Sequence, residues 1–386
     1  MIPYGRQSIS EDDIAAVIDV LRSDFLTQGP AVPRFEKVVA DYVGAHHAVA
    51  VNSATSALHI ACLALGLGPG DLLWTVPNTF VASANCGRYC GADVDFVDID
   101  RDTWNMSVDG LAAKLEAAEK AGRLPKIGVP VHFSGQPCDM AEIKALGDRY
   151  GFRIIEDASH AVGATYRDST IGDCRYSDVV VFSFHPVKIV TTGEGGIALT
   201  NEPELAWRMT MLRSHGITRD VARLERTDPP AWHYEQQMLG YNYRMIDLEA
   251  ALGVSQMKRL DTFVEQRNAI ARRYDDALRD VDGIITPTVR QDRRSSFHLY
   301  VVRLADGDAD RHRRVFEAMR AAGVGVNLHY APVHLQPDFR RLGFDGGMFP
   351  ESEAYGQSAI SLPIYPDLTK ENQDRVVDVL RMSLGD

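Results

Sequence analysis

The sequence predicts an α/β protein: a mostly parallel sheet with helices on both faces, followed by a smaller α+β unit. Three observations lead there. From residue 47 to residue 200, short apolar runs alternate with helical patterns. Several of those runs, Val179–Phe182 among them, are apolar throughout, which marks strands buried on both faces. After Leu278 the order changes to strand, helix, strand, helix, and that is a different architecture.

Taken in order, Ser10 can cap a helix whose first turn is Glu11-Asp12-Asp13. Ile14, Val17, Ile18 and Leu21 recur at i, i+3, i+4 and i+7, so one face is expected to pack inward. Leu26 to Pro30 form a loop. A second amphipathic helix runs from Val32 to Val43 and stops at Gly44. Strands are expected over His47–Val51, Leu72–Val76, Val94–Asp98, Ile127–Val131, Arg153–Asp157, Asp178–Phe184 and Gly196–Thr200. Helices are expected from Ser53 to Leu65, after Pro77-Asn78-Thr79-Phe80, and over Ala141–Tyr150. Asp247–Leu278 reads as one long helix, broken or continuous. Phe297–Leu304 and Val324–Tyr330 read as strands, Arg311–Ala322 and Lys370–Met382 as helices. With no repeat and no flexible linker, the expected division is a large unit over 1–250 and a linking helix with a small unit over 251–386.

Composition narrows the class. The 386 residues are enough to bury a core without staples. Lys and Arg total 41 against 53 Asp and Glu, so the net charge is −12, and that balance argues against a binder of nucleic-acid backbones. No secretory signal opens the chain, and no run reaches the ~18 apolar residues of a membrane span. The five cysteines form no C-x-x-C pair and read as reduced thiols of a cytoplasmic protein. Cys86 and Cys90 could share a helix face, but a metal would need two further ligands there, so no metal site is expected.

Ligands of open α/β sheets bind beyond the carboxyl ends of the strands. Four such ends carry unusual residues. Ser53-Ala54-Thr55-Ser56 open a helix, where free amides can hold a phosphate; plain capping is the simpler reading. Asp157 ends a buried strand, where a carboxylate is costly without a partner; it could also be a helix cap, and His160 a satisfied core histidine. Lys188 lies between the strand at Val179–Phe184 and the turn Gly193-Glu194-Gly195-Gly196. Desolvation there would lower its pKa and free an imine-forming amine; alone it could be a solvated loop lysine. Phe80 offers an aromatic plate, or simply core. Together the four meet the needs of pyridoxal phosphate: a phosphate cradle, a carboxylate for the pyridinium, a Schiff-base lysine and a stacking ring.

At these residues the chain resembles the DegT/DnrJ/EryC1/StrS sugar aminotransferases, of the aspartate aminotransferase fold. The resemblance covers essentially the whole chain. It is carried by Ser53-Ala54-Thr55, Glu156-Asp157-Ala158-Ser159-His160, Phe182-Ser183-Phe184-His185 with Lys188, Gly193-Glu194-Gly195-Gly196, Arg213-Ser214-His215-Gly216 and Gly240-Tyr241-Asn242-Tyr243-Arg244. It implies that Lys188 holds pyridoxal 5′-phosphate as a Schiff base, alternating with pyridoxamine phosphate, and serves as acid and base. Asp157 would pair the pyridinium nitrogen, His160 would sit near the ring hydroxyl, and Phe80 would stack on the ring. Thr55, Ser56 and Ser183 would bind the phosphate. Asn242 and Arg244 would reach in from the second subunit of a homodimer with shared sites. Tyr4, Leu26, Thr27, Gln28, Gly29, His185, Asn327, Leu328, His329 and Tyr330 would line the site of a UDP-sugar. The implied reaction moves an amino group from L-glutamate, which leaves as 2-oxoglutarate, to C4 of a 4-keto-6-deoxy nucleotide sugar. The blocks Leu26–Gly29, Asn52–Ala57, Ser183–Lys188 and His329–Val333 are most similar to the branch of pseudaminic acid biosynthesis. Branches that make perosamine, bacillosamine or aminoarabinose precursors are the alternative.

Three rivals are weaker. Dehydratase siblings carry His at the lysine position, whereas position 188 is lysine. A dehydrogenase needs G-x-G-x-x-G after a strand, and Gly66-Leu67-Gly68-Pro69-Gly70 has other spacing and precedes its strand. A non-catalytic family member would not be expected to keep both Lys188 and Asp157.

Overall fold

A computed structural model describes residues 1–385. Its centre is a seven-stranded sheet. In chain order the strands are β1 (His47–Val51), β2 (Leu72–Thr75), β3 (Asp93–Phe96), β4 (Ile127–Gly128), β5 (Arg153–Asp157), β6 (Val179–Ser183) and β7 (Gly196–Thr200). Their spatial order is β1-β7-β6-β5-β4-β2-β3. All run parallel except β7, which is antiparallel to both neighbours. β6 and β7 are buried at every residue, as the apolar runs Val179–Phe182 and Ile197–Leu199 within them require.

Helices cover the sheet: α1 (Glu11–Leu21), α2 (Ala31–Val43), α3 (Ala54–Ala64), α4 (Ala82–Tyr89), α5 (Val108–Ala121), α6 (Met140–Tyr150) and α7 (Pro203–Arg213). The Ser10 cap forms a full capping box with Asp13. α2 ends at Gly44 in the left-handed conformation, which glycine adopts without penalty. α5 and α7 were not anticipated. α7 has almost no amphipathic pattern, since both its ends and its middle mix apolar with charged residues.

The expected long helix is two, α8 (Asp247–Met257) and α9 (Leu260–Leu278), broken at Lys258-Arg259. Beyond it lie β8 (Ile284–Ile285), β9 (Tyr300–Leu304), α10 (Ala309–Ala321), β10 (Ala359–Leu362) and α11 (Lys370–Leu384), with the three strands antiparallel in the order β8-β9-β10. Ile270, Tyr274, Tyr300, Val302, Met319 and Leu380 form a second core there, and Ile2 from the chain's start packs into it.

Two expectations fail. The apolar face of α1 packs inward only in part: Val17 and Ile18 are half-buried, Ile14 is 44% and Leu21 57% exposed, and the one fully buried residue of the helix is Asp13. Asp13 is held by Gln256 (2.7 Å) and Arg259 (2.5 Å), so a charge network and not an apolar stripe seats the helix. Val324–Tyr330 is not a strand. It makes only single bridges, Val324 to Ile2 and Asn327 to Ser361, because its polar side chains are drawn away into separate contacts.

Candidate active site

The antiparallel β7 makes the site. Its register sets Gly196 beside Val51 of β1 and Ser183 of β6. Next along the sheet, Asp157 of β5 faces Val181. The ends of four strands therefore meet at one edge. α3 starts there, capped by Ser53, whose Oγ accepts from the Ser56 amide at 3.2 Å. Ser56 Oγ donates to Asn52 Oδ1 at 2.7 Å. A Cβ on Gly196 would lie 2.4 Å from the Ala54 amide nitrogen, so only glycine lets the strand and the helix start approach this closely. Ala54 and Thr55 open the helix, where amides point outward and an anion is favoured.

Asp157 is buried and its carboxylate is held from two sides. Ser83 Oγ, on α4, donates to Oδ2 at 2.6 Å, and the Ser159 amide donates to Oδ1 at 3.1 Å. Lys188 follows β6 on a turn closed by the Lys188 amide to the His185 carbonyl. Burial pulls its amine down to about 8, and the nearby Asp157 carboxylate pulls the other way. Its Nζ lies 3.5 Å from His298 Nε2.

The Lys188 amine is ringed by histidines that burial keeps neutral. His160 is held well below the ordinary value by burial, then by the charges of Lys188 and His329. His329 is pulled down to about 4 by burial and Lys188. His298 falls well below, through burial first and then Lys188. His160 has its tautomer fixed: the Ser134 amide can only donate to Nδ1 (3.2 Å), so Nε2 carries the proton towards Tyr330 Oη at 3.1 Å. His329 Nδ1 meets Ser361 Oγ at 2.9 Å, and its ring lies 5.3 Å from that of Tyr4.

The remaining predicted residues are placed as follows. Phe80 stands 58% exposed over this edge, its ring 6.2 Å from Tyr330. Ser183 is buried beside Gly196, and Thr55 is half-buried. Leu26, Thr27, Gln28 and His185 are exposed. The Gly29 amide donates to Asp247 Oδ2 at 2.8 Å, and the Asp247 amide returns a bond to the Leu26 carbonyl. Asn327 and Leu328 are half-buried, the Leu328 amide donating to the Asn327 side chain at 2.9 Å. Asn242 and Arg244 lie on a segment running past Ser214 and the end of β1, with the Tyr243 carbonyl accepting from the Asn52 amide. Asn242 is exposed. Among the described residues neither side chain bonds to Lys188, Asp157 or His160.

Three site residues escaped sequence reading: Ser83, Ser134 and His298. Ser83 lies one helical turn after Phe80, a spacing that could have flagged it. His298 follows Ser295-Ser296, a polar pair ahead of an apolar strand. Ser134 carried no signal.

These groups fit pyridoxal phosphate. Asp157 has lone pairs left for a pyridinium N–H, the α3 start and the missing Cβ at Gly196 leave a cradle, and the Lys188 amine is partly freed of its proton. The DegT/DnrJ/EryC1/StrS aminotransferase family matches over residues 7–381. The chain is 39% identical over 383 residues to the spore coat polysaccharide biosynthesis protein SpsC of Bacillus subtilis, covering 98% of this chain and 96% of that protein. It is 36% identical over 380 residues to the UDP-4-amino-4,6-dideoxy-N-acetyl-beta-L-altrosamine transaminase of Campylobacter jejuni, with the same 98% and 96% covered. Among solved structures, the putative sugar aminotransferase Spr1654 of Streptococcus pneumoniae in its PMP form superposes with a TM-score of 0.91 at 29% identity, covering 100% of this chain and 99% of that one. Helicobacter pylori PseC, an aminotransferase of pseudoaminic acid biosynthesis, gives 0.91 at 27% identity over the same shares. The chain belongs to the DegT/DnrJ/EryC1/StrS aminotransferase family and is a pyridoxal-phosphate-dependent sugar aminotransferase.

Proposed function

We propose that this enzyme moves the amino group of L-glutamate to C4 of UDP-4-keto-6-deoxy-N-acetyl-β-L-altrosamine, in the cytoplasm, as a step towards pseudaminic acid. The observation that carries the reading is the Lys188 amine held at about 8 opposite a doubly hydrogen-bonded Asp157. The named Campylobacter and Helicobacter relatives support the sugar. SpsC favours a second reading, in which another 4-keto nucleotide sugar is aminated for a surface polysaccharide.

Pyridoxal phosphate, when bound, supplies an electron sink and a carrier for the amino group. The chain's own residues do the rest. Lys188 Nζ would anchor the cofactor and, once neutral, would carry a proton from the donor carbon to the cofactor in the first half-reaction and from the cofactor to C4 of the sugar in the second. Asp157 holds the pyridinium proton, fixed in place by Ser83 and Ser159. His160, Nε2-protonated, orients Tyr330 beside the ring. Phe80 covers one ring face. Thr55, Ser56 and Ser183 hold the phosphate at the α3 start. Tyr4, Leu26 to Gly29, His185 and Asn327 to Tyr330 line the nucleotide-sugar side. Asn242 and Arg244 serve the site of a second copy in a homodimer. Exposed Ile14, Leu21, Phe25 and Leu26 give such a copy apolar surface to cover. In this arrangement residues 1–250 carry the cofactor and 251–386 close over it.

Ping-pong kinetics follow, because one lysine serves both half-reactions. A panel of 4-keto nucleotide sugars with glutamate, scored by 2-oxoglutarate release, tests the substrate. The highest kcat/KM is expected for the altrosamine derivative. A decisive preference for a different keto sugar moves the enzyme to the second reading.

A further inference from the structure

Lys188 is bonded to the cofactor at rest and has to be free of it while it carries protons in either half-reaction. A free, flexible amine in a cavity needs a place to wait. We propose that His298 is a positioning residue that accepts a hydrogen bond from Lys188 Nζ and parks the amine while it is not bonded to the cofactor.

The geometry is specific. His298 Nε2 lies 3.5 Å from Nζ. That is long, as such contacts often are before a site is loaded. Nε2 must be the acceptor, because an ammonium has only donors. The proton of the neutral ring then sits on Nδ1, which is buried without a partner. The surroundings fix the residue's backbone and flank its ring: the His160 ring lies 4.4 Å away, and Arg267 Nη1 on α9 holds the carbonyls of Phe297 and His298, each at 3.2 Å. Phe297 is itself in the left-handed region, at φ 46°, an uncommon conformation for its type that aims the next residue into the site. The charged and titratable groups facing the pair are Asp157 and His160 after β5, His329 and Tyr330 from the 324–330 segment, and Arg267 from α9. Burial lowers all three histidines, so His298 stays an acceptor and does not compete for the proton.

This inference rests on Lys188 being the cofactor lysine, and the experiment separates the two. Four proteins are compared: wild type, Lys188→Ala, His298→Leu and His298→Gln. In the cofactor-free proteins, modification of Lys188 by an amine-reactive reagent is followed against pH by mass spectrometry. After reduction with glutamate, return of the visible band on adding 2-oxoglutarate is followed by stopped flow. Wild type is expected to titrate near pH 8. His298→Leu removes an acceptor that favours the ammonium, so its profile moves to lower pH, and band return slows about tenfold. His298→Gln keeps an acceptor and stays within about threefold of wild type. A Leu variant with the wild-type profile and rate overturns the proposal, and so does equal loss in the Leu and Gln variants. A visible, glutamate-bleachable band in Lys188→Ala would instead overturn the assignment of Lys188.

Discussion

Lys188 is unusual because its surroundings hold almost no charge that could help it ionise. Among the described residues Asp157 is the one anion acting on it, and burial outweighs that carboxylate. In the folded cofactor-free chain the amine titrates near 8, against an ordinary 10.5. Between those values the unfolded chain binds more protons, so stability rises with pH across that window. The melting temperature of cofactor-free wild type is therefore expected to gain on that of Lys188→Ala from pH 8 to pH 10.5. Parallel curves would contradict the buried, depressed amine. Ser83 makes a second prediction at this scale. Ser83→Ala leaves one Asp157 oxygen without its donor, a loss of about 1–3 kcal/mol, and roughly tenfold weaker cofactor binding by equilibrium dialysis should result. Lys188 and Asp157 were legible in the sequence because a cation and an anion at the ends of apolar strands need a chemical reason. Ser83 and His298 were not, since each acts on a residue 74 or 110 positions away and serine or histidine alone carries no direction.

Strand register turns these residues into a site. Gly196 is the tightest point, where β7 meets the α3 start. Gly196→Ala should push the helix start outward at a cost of about 1–3 kcal/mol and weaken pyridoxal phosphate binding more than it lowers the melting temperature of the cofactor-free protein. Equal binding would mean that the α3 start is not the phosphate cradle. The loop before α2 depends on Asp247, which takes the amides of Gly29 and Ala31, each at 2.8 Å. Asp247→Asn should raise the KM for the sugar while leaving the glutamate half-reaction nearly unchanged, read by single-turnover bleaching. The strands of the main sheet could be read from the sequence because a doubly covered sheet writes itself as continuous apolar runs. The 324–330 segment has the same apolar look at Val324 and Val326, yet Asn327 and His329 spend their side chains on local contacts and break the ladder. α1 misled for another reason: its apolar stripe is real, but only its middle, Val17 and Ile18, is half-covered, while Ile14 and Leu21 at its ends are exposed.

At the scale of the molecule, a net charge of −12 has to coexist with an anionic cofactor and an anionic substrate. Local groups must do the binding: the α3 amides, Lys188 and, in the proposed homodimer, Arg244 of the second copy. If Asn242 and Arg244 complete the partner's site, Lys188→Ala and Arg244→Ala proteins are each nearly inactive. Mixed and re-associated, they should recover up to about a quarter of wild-type activity, as the statistics of a symmetric pair allow. No recovery would place both residues in one chain's site. The whole-chain similarity explains why fold and family could be read early, whereas the sugar, on the reading proposed above, depends on the loops at Leu26–Gly29 and His185, where Leu26, Thr27, Gln28 and His185 are exposed and held by few internal contacts.

The central claim is that Lys188 carries pyridoxal phosphate and hands an amino group through it. The direct test is the visible spectrum of the purified protein before and after glutamate, for wild type and Lys188→Ala. Wild type should show the visible band of a lysine-bound cofactor, which bleaches with glutamate and returns with 2-oxoglutarate, while Lys188→Ala shows no such cycle. A Lys188→Ala protein that bleaches and recovers through repeated cycles at the wild-type rate would contradict the account.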